Sequence, residues 1–141
     1  MNKVLSRFVY LIPALILGCS SAEGDTTITV SWDLPVVYCD GSVLTPATDL
    51  LAVEVYISAS TIPASEDPGC GGVRDVPPVG ITPLSVTGTA TSVQATLTPG
   101  ITYHIRARVQ ASNGEWSNLT PELQKVVANL EPGIMQNFRL N

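Results

Sequence analysis

Hydrophobic and polar positions alternate with a period of two along most of this chain. From Thr27 to Leu34, Ile28, Val30, Trp32 and Leu34 fall on one side, and Thr27, Thr29, Ser31 and Asp33 on the other. That is the pattern of a half-buried strand. Leu51 to Ala59 alternates again, with Leu51, Val53, Val55 and Ile57 inward and Glu54, Tyr56 and Ser58 outward. Ser92 to Leu97 places Val93, Ala95 and Leu97 inward. Thr102 to Gln110 alternates most clearly, with Tyr103, Ile105, Ala107 and Val109 inward and His104, Arg106, Arg108 and Gln110 outward. Ile81 to Thr89 reads as a short edge strand, because Pro83 is tolerated only at an edge. Leu123 to Ala128 reads as a last strand. Residues 35–50 and 60–80 carry Pro and Gly and read as loops. Thr98-Pro99-Gly100 and Ser112-Asn113-Gly114 are turn signals. Past the first twenty-odd residues nothing repeats at 3.6, so the fold class is all-β, a sandwich of short strands.

Five pieces, in order, resemble a fibronectin type III domain. Thr29-Val30-Ser31-Trp32-Asp33-Leu34-Pro35 is similar to its strand B, with a core Trp. Asp40-Gly41-Ser42-Val43-Leu44 is similar to the B–C loop of bacterial members, and Val53-Glu54-Val55-Tyr56 to strand C. Leu97-Thr98-Pro99-Gly100-Ile101-Thr102-Tyr103 is similar to the E–F corner, and Asn113-Gly114-Glu115-Trp116-Ser117 to the F–G turn. The resemblance covers about residues 26–128. It implies an immunoglobulin-like β-sandwich in which Trp32 is central and the Tyr103 hydroxyl bonds backbone of the E–F connection. Two departures stand out. The usual first strand is missing before Thr26, which leaves an edge of strand B to be covered. The stretch between strands C and E is long and contains Cys70.

The N-terminus follows different rules. Lys3 and Arg7 precede the apolar run Phe8–Leu17, the layout of a secretory signal peptide. The run is too short to span a bilayer, which takes about 20 residues. Ile16-Leu17-Gly18-Cys19 resembles the lipobox of bacterial lipoproteins. The resemblance implies cleavage before Cys19 and acylation of Cys19 on its sulfur and its new amino group. An ordinary secreted protein, cut near Ser20–Ala22, is the alternative. Ser20 after the lipidated Cys is compatible with export to the outer membrane, facing the periplasm or the surface. The division expected is therefore signal peptide 1–18, lipidated linker 19–25, sandwich 26–128 and C-terminal tail 129–141.

Composition changes meaning under this division. The 141 residues carry 7 Lys+Arg and 12 Asp+Glu, a net charge of −5. Removing residues 1–18 takes two basic residues and no acid, so the 123-residue remainder carries −7. Nucleic acid is not an expected partner, because phosphate binding needs clustered Lys and Arg. Of the three Cys, Cys19 is assigned to lipid, and Cys39 and Cys70 read as one disulfide in an oxidising envelope. It would close a loop of about 30 residues, contributing about 3–4 kcal/mol in the chain-entropy model.

Few residues offer chemistry. His104 is the only His, without a Ser-His-Asp order around it. No Cys/His spacing suits zinc, no Asp-x-Asp-x-Asp run suits calcium, and Gly69-Cys70-Gly71-Gly72 does not sit between a strand and a helix as a phosphate cradle would. No cofactor is expected beyond covalent lipid, and no enzyme activity. The candidate binding face is the outward side of strands C and F: Glu54, Tyr56, His104, Arg106 and Arg108. There Glu54 is expected to form an exposed ion pair with Arg106 or Arg108. Tyr38, Tyr56 and Trp116 are the aromatics available for glycan. The expected function is a membrane-anchored envelope lipoprotein presenting a non-catalytic module to a protein or glycan partner. The alternative is a structural subunit of an outer-membrane or surface assembly, with the C-terminal strand as connector. Residues Ile134, Gln136, Phe138 and Leu140 of the tail share one parity. Three fates are open to that tail: filling the edge of strand B, remaining a flexible end, or pairing with another chain.

Overall fold

In the computed structural model, residues 24–64 and 76–127 are described. Alternation becomes six strands: β1 (Thr26–Ser31), β2 (Leu50–Ser58), β3 (Leu84–Thr87), β4 (Ser92–Leu97), β5 (Thr102–Ala111) and β6 (Leu123–Val126), with a single helical turn, α1 (Pro46–Asp49). All pairings are antiparallel. One sheet pairs β1 with β4, and the other runs β3-β2-β5-β6. The protein is an all-β sandwich.

The inward parities of both sheets meet in one core. Ile28, Val30 and Trp32 come from β1 and its end, Ala95 and Leu97 from β4, Val53 and Val55 from β2, and Ile105, Ala107 and Val109 from β5. These β-branched and small side chains fit a pleated surface packed against another sheet. Trp32 is 3% exposed, and its indole Nε1 has no partner among the described residues. The turn from β4 into β5 forms as its residue types imply. The Thr98 N–H donates to the Tyr103 hydroxyl at 3.1 Å. Gly100 takes a φ of 82°, open to glycine at no steric cost, and its N–H donates to the Val127 carbonyl.

Two details depart from simple alternation. Leu51 was expected in the core, yet it is exposed while Leu50 is buried. The β2–β5 register shifts between Leu50 and Ala52, and the extra residue exchanges the two faces. Gly88 sits against this start of β2. A Cβ there would collide with the backbone of Leu50, so the turn from β3 to β4 can approach only as glycine. The second departure is α1, inside a stretch expected to be loop. Thr45 stands at its N-cap and Pro46 begins it, and the Thr45 N–H donates to the Asp49 carboxylate at 2.8 Å. One turn of helix carries no periodicity, so no pattern announces it.

Among the described residues β1 pairs with β4 alone, and β3 and β6 are the outer strands of the larger sheet. The expected signal peptide, Cys19, Cys70 and the tail 129–141 lie outside the described residues, as do Glu66, Asp67 and Asp75.

Candidate functional site

The outward parity of β2 and β5 brings the five expected face residues together. Glu54 lies opposite Arg108, Tyr56 opposite Arg106, and Ser58 opposite His104. Their surroundings differ from the expectation of a solvated face. Two chain segments lie across it: residues 59–64, which leave β2, and residues 116–122, which lead into β6.

The second segment is held by hydroxyls. Beyond the turn that follows β5, the Ser117 N–H donates to the Val109 carbonyl and the Thr120 N–H to the Ala107 carbonyl, at 2.9 and 2.8 Å. The return bonds come from side chains. The Val109 N–H donates to Ser117 Oγ at 3.0 Å, and the Ala107 N–H to Thr120 Oγ1 at 2.9 Å. Ser and Thr replace backbone carbonyls, so β5 keeps its donors satisfied although no regular strand runs beside it. The segment bulges between these two residues. Leu119, 1% exposed, packs with Tyr56 and Ile62 in a second small core, against Ala64 and Ile81.

Charged groups are enclosed between the sheet and these segments. Arg108 donates from Nε to Glu54 Oε2 at 2.8 Å, with a second guanidinium nitrogen at 2.7 Å. Its guanidinium lies 4.0 Å from the Trp116 ring centroid and 5.6 Å from that of Tyr56. A planar cation between two π faces gains attraction from both. The Tyr56 hydroxyl donates to the same Glu54 oxygen at 2.5 Å. Burial pushes the Tyr56 phenol up to about 12, the Glu54 hydrogen bond adds to the rise, and Arg108 opposes it. The expected ion pair is therefore Glu54–Arg108, and it is not exposed: Arg108 retains only 7% of its surface. Such a pair is costly to break from one side, at about 3–5 kcal/mol, whereas an exposed pair contributes about 0–1 kcal/mol.

Arg106 and His104 work at the other end. Arg106 donates from Nε to the Ile62 carbonyl at 2.7 Å and from a terminal nitrogen to the Thr120 carbonyl at 2.8 Å. His104 Nδ1 lies 2.7 Å from Glu122 Oε1. The other Glu122 oxygen accepts the Ile62 N–H at 2.8 Å and lies 3.8 Å from Arg106. Burial pushes the Glu122 carboxyl up. The His104 hydrogen bond, the Ile62 N–H and the charges of His104 and Arg106 outweigh it, so the carboxyl sits below its ordinary range.

The five face residues are thus assembled but largely covered: Tyr56 and Arg108 are buried, and Glu54, His104 and Arg106 are half-buried. The aromatic platform is also absent in the expected form. Tyr56 and Tyr38 are buried, and Trp116 covers Arg108. Glu122, Ile62, Leu119, Ser117 and Thr120 were not singled out from sequence, and they close the face.

A different surface stands open at the far end of the sandwich. β1 starts where the Asp25 carboxylate accepts the Thr98 hydroxyl, at the turn from β4 into β5. It ends at Ser31, from which residues 32–49 emerge at the opposite end. There Tyr38 and Ser42 close a small hairpin, with a bridge between Val37 and Val43. Asp40 Oδ1 accepts the Ser42 N–H at 2.9 Å. The Ser112 N–H donates to the Asp49 carbonyl, which joins the turn after β5 to this loop. Burial, then Asp49 and Asp40, raise the Tyr38 phenol. Val36 and Val43 are 62% and 79% exposed. Residues 32–50 and 111–116 include Asp33, Asp40, Asp49 and Glu115 and no Lys or Arg.

Among the described residues no group of three or more His, Cys, Asp or Glu stands together as a metal site would, and no helix is long and apolar enough to cross a membrane. No family model and no curated protein matches the chain.

Proposed function

We propose that the protein is an envelope lipoprotein, anchored through Cys19 to the outer membrane. It carries a non-catalytic module of fibronectin type III type that meets a protein or glycan partner with the end farthest from the membrane. The observation that carries this reading is the polarity of β1. Its first residue, Thr26, follows the lipobox cysteine by a short linker, and its last leads into the loop that exposes Val36 and Val43. Residues 20–25 extend to about 20 Å at most, so the E–F end stays near the bilayer and the apolar, acidic end points away. Acyl chains on one cysteine make such anchoring stable, at about 0.8 kcal/mol per buried CH₂.

The fibronectin type III assignment is supported by the strand pairing, β1 with β4 against β3-β2-β5-β6, and by the Tyr103–Thr98 bond. A Cys39–Cys70 bridge belongs to the same proposal. Cys39 in a disulfide-bonded state, within the distal hairpin, supports it. The bridge would brace the proposed contact surface from the loop between β2 and β3.

Fatty-acid labelling in cells separates the anchored from the merely secreted protein. Label is expected on the wild type and absent from Cys19→Ala, and equal label on both would defeat the anchor. A photo-crosslinking residue at position 43 is expected to give discrete adducts in intact envelopes. The same residue at Gln94, exposed on β4, is expected to give none; adducts at Gln94 alone would move the contact surface off the distal end. The connector reading is favoured by the β1 edge, which pairs only with β4 among the described residues. It requires that deleting residues 131–141 abolish assembly while the sandwich still folds.

A further inference from the structure

We infer that Glu122 is an acid-released clasp, which holds residues 59–64 shut over the outer face at neutral pH and lets them open when its carboxylate is protonated. Among the described residues, Ile62 makes the strap's hydrogen bonds to Glu122 and Arg106, and Ala64 packs beside it. The Ile62 side chain is fully buried against Tyr56 and Leu119. Its N–H donates to Glu122 and its carbonyl accepts from Arg106. Glu122 therefore ties together the strap, β5 through His104, and the entry to β6. Removing its charge leaves the buried Ile62 N–H with a weaker acceptor and Arg106 without its nearest acid.

The groups around Glu122 make the response local. β5 presents His104 and Arg106 to it. The strap from Ala59 to Ala64 contains no titratable side chain. β6 carries Lys125, while Glu54, Tyr56 and Arg108 form their own bonded set farther along the sheet. A carboxyl held below its ordinary range stabilises the closed form above its unfolded value and ceases to do so as pH falls through the folded value. The strap is thus closed at neutral pH and loosens in acid, exposing Ile62, Leu119 and Tyr56 while the main core stays shut. This device stands independently of the anchored-module proposal.

Amide hydrogen exchange resolved by residue, corrected for intrinsic rates, tests it on the purified chain from residue 20 onward. Protection of the Ile62 amide is expected to fall by about tenfold or more as pH drops through the carboxylate range. Val53 and Val109 should keep theirs. Glu122→Gln should show the lowered Ile62 protection already at neutral pH and lose the pH dependence. Constant Ile62 protection in the wild type would overturn the clasp. So would simultaneous loss at Val53 and Val109, because acid would then be opening the whole sandwich, and so would a Glu122→Gln variant that titrates like the wild type. The wild-type titration decides alone if the variant does not fold.

Discussion

The two faces of the β2–β5 pair are built by the same residues' neighbours in sequence and hold together by different means. The inner face is aliphatic: Val53, Val55, Ile105, Ala107 and Val109 pack against the small sheet. The outer face combines a three-residue apolar cluster with two enclosed charge networks. The inner face is non-directional and tolerates swaps of similar volume. The outer face depends on each partner being present, because a buried charge or donor left alone costs its full desolvation. Outward parity in a strand thus says which face a residue takes. It does not say that the face meets water.

The comparison can be broken from either side. Trp32→Ala is expected to destabilise the sandwich by about 3–5 kcal/mol, read by denaturant unfolding, because it empties the centre of the inner core. Ile62→Ala should cost about 2–4 kcal/mol, together with faster proteolysis in residues 59–64. A cost near zero would mean the strap rests on the sheet without packing. Arg108→Met keeps the apolar stem between Tyr56 and Trp116 and leaves Glu54 the Tyr56 hydroxyl as its donor, so about 2–3 kcal/mol is expected, less than the about 3–5 kcal/mol of a fully stranded charge. If the pair were exposed, the cost would be about 0–1 kcal/mol and 1 M salt would remove most of it. Ser117→Ala and Thr120→Val sit at the small end, at about 1–2 kcal/mol each, as each leaves one β5 amide without its acceptor.

How much of this was legible in the sequence follows the same division. Period-two alternation carries the strands and nearly all of the inner core, since every buried aliphatic residue there repeats the signal of its neighbours. It fails at Leu50 and Leu51, where one inserted residue reverses parity and no residue type marks the bulge. The turn from β4 into β5 was legible because Pro99, Gly100 and Tyr103 each have a steric or bonding reason to be there. On the outer face, the pairing of Glu54 with an arginine was legible from cross-strand position. Its enclosure was not. Segments 59–64 and 116–122 have no regular period, and Glu122 lies 14 residues from Arg108 along the chain and 60 from Ile62. The one local hint was chemical: Ser117 and Thr120 are hydroxyl residues flanking the bulge at Leu119, able to stand in for a strand.

This division also bears on the proposed contact surface. With the outer face covered, the anchored module proposed above would offer its distal end, with Val36, Val43 and its carboxylates. Whether the outer face is enclosed is read most directly from the Tyr56 phenol. Ultraviolet titration of the purified chain from residue 20 onward, taken as the difference between wild type and Tyr56→Phe, isolates that group. The enclosed face predicts a transition at about 12. A transition near the ordinary phenol value of about 10 would contradict it and return the face to solvent.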